Sequence, residues 1–146
     1  YVLEAIEGDT IIHIPGMPAW VRGWIMYNDQ AIMVFDLASF LPESAYAEQS
    51  GQIVVIQVPG KQSVYGLLVN ELGEIPEIPL ARIEPLAVIM GHGYTLTESL
   101  VKPSHNGMDT RILSILSAER ILQRLTGLNV PELTMVSNDE FAITAR

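Results

Sequence analysis

The 146-residue chain contains no cysteine, which excludes disulfides, thiolate metal sites and thiol nucleophiles together. Basic residues are scarce: eight Lys and Arg stand against seventeen Asp and Glu, for a net charge of −9. A nucleic-acid binder needs a basic stripe to neutralise phosphates, and these few cations are scattered, so no nucleic-acid partner is expected. Long apolar runs are lacking too. The stretches "IIHIPGM" and "IVVIQV" fall far short of a bilayer's thickness, so no membrane insertion is expected. The opening residues show no basic-then-apolar leader pattern, and a cytoplasmic location is the expectation. An acidic surface favours solubility and protein partners that carry basic patches.

What is present is apolar and regularly punctuated. Hydrophobic residues make up 49% of the chain and charged ones 17%, the balance of a folded domain or of two small subdomains sharing a core. Pro and Gly interrupt short β-branched runs throughout, the pattern of a mostly β protein. "AWVRGWIMY" and "AIMVFDL" flank Asn28, Asp29 and Gln30 at hairpin spacing, with Asn28-Asp29 suited to positive φ. Gly23 sits inside the first of these strands, where a bulge or a close backbone approach is the usual reason. "DTIIHI" reads as a strand running into Pro15-Gly16. "ASFLPESAYAEQSG" reads as a polar connection with one helical turn. "QIVVIQV" and "SVYGLLVNEL" form a second hairpin, "GEIPEIPLARIEPLAVIMGHG" a series of short extended pieces, and "TRILSIL" a buried strand. One helix is signposted: Ser117 caps "AERILQRLTG", Ile121, Leu122 and Leu125 form its apolar stripe, and Gly127 ends it. The count is seven to nine strands and one helix.

Catalytic constellations are missing. His13 lies in an apolar run and reads as a core or edge histidine with its nitrogens satisfied. His92, His105 and Asp109 would make an adequate metal shell, but without HExxH-type spacing they read as loop residues. There is no GxSxG elbow, and "PGK" lacks the spacing of a phosphate loop. Glu74 and Glu77 flank prolines and read as solvent-facing charges. The protein is therefore expected not to be an enzyme, with no metal and no cofactor.

One ordered set of motifs is more specific. "IPGMPAWVRGWIMYNDQAIMVFDL" (Ile14 to Leu37) resembles the signature segment of CheW-like domains: a Pro-Gly-x-Pro turn, an apolar stretch ending in Arg-Gly, a hairpin, and a strand closing on Asp-Leu. "GQIVVIQVPGKQSVYGLLVNELGEI" resembles the family's next hairpin, and "TRILSILSAERIL" its last strand and helix. The resemblance implies two small five-stranded β-barrel-like subdomains on a shared core, with the helix near 117–126. It also implies a non-enzymatic adaptor that couples chemoreceptor tips to a CheA-type histidine kinase. The expected receptor-facing residues are Glu4, Ile6, Arg22, Asn28 and Asp29. The expected kinase-facing residues are Val64, Leu67, Val69 and Asn70, on the second subdomain's hairpin.

Three positions depart from the family pattern. Asn28-Asp29 stands where the family has Arg-Gly, Val69-Asn70 where it has Val-Asp, and Ser117 where it has Asp. Losing the cation alters a charge-assisted receptor contact, which suggests a specialised paralogue in a pilus-linked or other chemosensory array. The alternatives are a CheW-like regulatory domain excised from the kinase itself, and a β-barrel small-ligand or metal-binding protein. The order of the motifs is also unusual. "NDEFAIT", at 138–144, resembles the family's N-terminal strand, so residues 1–146 read as one domain in which 132–146 supplies the first strands in permuted order. Circular permutation, an excerpt of a tandem repeat and a domain-swapped homo-oligomer all give this arrangement.

Overall fold

The computed structural model describes residues 1–8, 10–41, 51–57, 59–86, 96–104 and 110–127. Eight strands and one α-helix are found among them: β1 (Val2–Glu7), β2 (Val21–Tyr27), β3 (Gln30–Asp36), β4 (Gln52–Gln57), β5 (Val64–Val69), β6 (Ile83–Pro85), β7 (Thr97–Val101), β8 (Leu113–Leu116) and α1 (Ala118–Gly127). The protein is mostly β. Strands β1 to β5 form one sheet in the order β1-β4-β5-β3-β2, and β6-β7-β8 form a second. Short 3-10 turns at Leu37–Phe40 and Leu80–Arg82 follow β3 and precede β6.

The β2–β3 hairpin closes through the two-residue turn Asn28-Asp29, with φ of 45° and 62°. Asn and Asp tolerate these values, and the turn's twist suits paired strands. Gly23 meets both reasons given for a glycine inside a strand. The β2–β3 register slips between Val21 and Gly23, and the backbone of Ile12 crosses directly over Gly23, bonding Trp24 in both directions at 2.8 and 3.0 Å. The slip has a visible consequence. Val21 and Ile25 would share a face of a regular strand, yet Val21 joins one core and Ile25 the other.

Both faces of the five-stranded sheet are covered. Ile25, Ile32, Val34, Ile53, Val55 and Leu68 pack on one side with Ile6, Ile11, Tyr27 and Val64. On the other side Val21, Met33, Phe35, Ile56 and Leu67 meet the helix stripe of Ile121, Leu122 and Leu125. The Ser117 hydroxyl accepts the Arg120 N–H at 3.4 Å, as expected of the cap.

The second sheet shows three strands among the described residues. Two expectations are corrected. The β4–β5 hairpin belongs to the same sheet as the signature hairpin, because β5 pairs in parallel with β3; a second subdomain does not hold it. His13 lies outside any strand and is exposed; its neighbour Ile12 makes only an isolated bridge to Trp24. The residues His92, His105, Asp109 and 132–146 lie outside the described set. Among the described residues, no helix is long and apolar enough to cross a membrane.

Candidate partner-binding surface

Strand register decides which candidate residues stand together. In the parallel β3–β5 pair Val34 lies opposite Gly66, so β5 starts beside the start of β3, next to the Asn28-Asp29 turn. Val64 therefore sits at the turn's end of the sheet, half-buried against the core. Val69 and the exposed Asn70 lie at the opposite end, about 20 Å along the strand. Leu67 is only 4% exposed and is a core side chain, which corrects its expected place in a contact. Ile6 is half-buried and packs from β1 onto the same core as Val64.

The expected receptor-facing group divides as well. Arg22 sits at the bulge, far from the turn that holds Asn28 and Asp29. Its guanidinium Nη1 is 3.7 Å from Asp36 Oδ2. Asp36 is fully buried; its Oδ1 accepts the Ala38 N–H at 3.0 Å and caps the following 3-10 turn. Arg22 thus presents a cation that is anchored from beneath. Anchoring lowers the entropy lost when such a side chain meets a partner's carboxylate.

Glu4 and Asn28 do come together, through a residue that sequence reasoning missed. Strands β1 and β2 are the two outer strands of the sheet. Yet the Tyr27 hydroxyl of β2 comes within reach of the Glu4 carboxylate of β1 and of the Asn28 side chain, and interacts with both. The sheet therefore curls until its edges approach, with no β1–β2 ladder and no closed barrel among the described residues. The hydrogen bond to Glu4, then burial, then the Glu4 charge hold the Tyr27 pKa above its usual 10.0, and the Asn28 bond opposes them. Because the folded value is the raised one, this contribution to stability is present below pH 10.0 and is lost as pH rises through the folded pKa. In a spectroscopic titration the Tyr27 hydroxyl should ionise above its usual 10.0, and Glu4→Ala should bring it back towards that value. An unchanged titration curve in Glu4→Ala would refute the pairing.

Exposed apolar side chains border this cluster: Tyr1, Val2 and Leu3 at the start of β1, and Met26 beside Tyr27. An interaction surface is therefore present where two strand edges, a polar trio and an apolar rim coincide. Among the described residues, no group of three or more His, Asp or Glu side chains stands close enough to hold a metal ion.

A model of the CheW-like domain family matches residues 1–126. The chain belongs to the CheW-like domain family. Such domains are scaffolds of chemotaxis signalling rather than catalysts. Among solved structures, the scaffolding protein TtCheW from Thermoanaerobacter tengcongensis is similar, with a TM-score of 0.61 and 22% identity over 80% of this chain and 75% of that one. At that identity the likeness speaks for the fold. No curated protein sequence matches the chain. The signature hairpin, its bulge and the buried Asp36 lie within the matched region, as do all nine candidate contact residues.

Proposed function

We propose that this CheW-like chain is a cytoplasmic adaptor that couples chemoreceptor tips to a CheA-type histidine kinase, in a pilus-linked or other specialised array. The family match over residues 1–126 carries this reading. The surface chemistry supports it, since it offers strand edges and apolar rims. Glu4 and Asn28, joined through Tyr27, form the receptor-facing end together with Asp29 of the turn, with Ile6 and Val64 shaping the sheet beneath. Arg22, Val69 and Asn70 mark the other end, where the kinase binds and Leu67 acts only by holding β5 in place. Residues 132–146 supply a further strand to the domain, in this chain or a second copy. Their "EFAIT" alternation and the exposed outer strand β1 support that arrangement.

Titration of the chain with the cognate kinase tests the reading. A Kd of about 10 μM or tighter, near −7 kcal/mol, is expected. No detectable binding at that concentration would overturn it.

A further inference from the structure

Between β5 and β6 the sequence repeats with a period of three: Glu71-Leu72-Gly73, Glu74-Ile75-Pro76, Glu77-Ile78-Pro79. A polyproline II helix has three residues per turn. In that conformation the segment has three separate faces, one of Glu71, Glu74 and Glu77, one of Leu72, Ile75 and Ile78, and one of Gly73, Pro76 and Pro79. The structure is compatible with it. No helix or strand is assigned anywhere in 71–79, and Pro79 has φ −58° and ψ 134°, in the polyproline II range.

Both ends are tied down. The Leu72 N–H donates to the Gln52 side-chain oxygen at 2.8 Å, and the Pro79 carbonyl accepts the Arg82 N–H at 2.9 Å. Between them the chain is exposed at every residue but Ile78, which is half-buried, and Ile75 is 99% exposed. No basic residue occurs between Lys61 and Arg82 to neutralise the three carboxylates. Residues 1–80, which hold this segment and the whole five-stranded sheet, carry ten acidic side chains against two basic ones.

A spacer between the sheets would be satisfied by the prolines alone. It would not need isoleucine and glutamate repeating in step with the helix turn. Since the polyproline II form lacks internal hydrogen bonds and is already extended, a partner that accepts it loses little ordering entropy.

We propose that residues 71–79 are a preformed docking ridge for a protein whose apolar cleft is rimmed by lysine and arginine. Leu72 and Ile75 enter the cleft, and Glu71, Glu74 and Glu77, about 9 Å apart in succession, pair with the rim. The inference rests on the adaptor reading, which makes the cognate CheA-type kinase this partner.

The test is calorimetric titration of that kinase with three proteins: the wild-type chain, Ile75→Ser, and the triple variant Glu71→Lys, Glu74→Lys, Glu77→Lys. Ile75 is solvent-exposed, so Ile75→Ser should leave the unfolding temperature unchanged while weakening binding about tenfold. The triple variant should bind at least as weakly, and its affinity should lose the decline with added salt that the wild type shows. If the wild type binds and both variants match it within about twofold, the ridge is only a spacer and the inference is overturned. If the wild type itself fails to bind, the adaptor reading falls, and the ridge's assignment to this kinase falls with it.

Discussion

Gly23→Ala is expected to lower the unfolding free energy by about 3–5 kcal/mol, a large share of the stability of a domain this size. Two independent effects add. Gly23 has φ of 139°, a conformation that an L side chain adopts only under strain. A Cβ built there would lie 2.1 Å from the Ile12 carbonyl oxygen, a backbone atom that cannot rotate away. Relief requires the 11–13 segment to lift from β2, which breaks the reciprocal Ile12–Trp24 hydrogen bonds. Trp24 and Ile11 help to seal opposite cores, so the damage reaches both faces of the sheet. Gly16→Ala is the control. It has positive φ but nothing within 4 Å of the added carbon, and it should cost only about 1 kcal/mol. Denaturant unfolding of the two variants measures the difference. If Gly23→Ala proved no worse than Gly16→Ala, the crossing of Ile12 over the bulge would be wrong.

Local features of this fold were legible in the sequence, and non-local ones were not. Asn28-Asp29 announced the two-residue turn because side-chain chemistry and backbone twist restrict what can stand there. The glycine at 23, the Ser117 cap and the stripe of Ile121, Leu122 and Leu125 were equally local signals, and each is found in place. The parallel pairing of β3 with β5 left no local mark. It puts Val64 to Asn70 beside the signature hairpin, and no spacing rule says which distant strand joins which edge. His13 misled because its isoleucine neighbours suggested a full strand, whereas a single bridge suffices to hold Ile12.

The candidate surface divides in the same way. Asn28 and Asp29 could be singled out from the turn, but their connection to Glu4 needs the sheet to curl. That curvature brings the outer strands β1 and β2 together at Tyr27. Tyr27 itself gave a weak signal, as an aromatic at a strand end with one face apolar and a polar tip. Leu67 was misplaced because alternation along β5 does not reveal that both faces are covered. The solvent-facing Glu74 and Glu77 could be read from the sequence, whereas the full exposure of Ile75 between them could not, since an isoleucine among prolines carries no mark of which way it faces.

Leu122→Ala should destabilise the protein by about 2–5 kcal/mol, and the loss should appear as a single shifted transition. Leu122 is buried among Val21, Met33, Phe35, Ile56 and Leu67 of the five-stranded sheet. Leu96, just before β7, and Leu116, the last residue of β8, pack against the same cluster. Helix α1 is also tied to that second sheet through polar bonds: the Arg120 guanidinium donates to the Thr97 carbonyl at 2.7 Å, and Ser117 N–H to the Leu96 carbonyl at 2.8 Å. A cavity at Leu122 therefore weakens the contact through which both sheets share one core. Glu119→Ala on the exposed side of the same helix should change stability by no more than about 0.5 kcal/mol. Calorimetric and fluorescence unfolding curves that still coincide in Leu122→Ala would fit one cooperative unit. If they separate into two transitions, the sheets fold independently and α1 does not join them.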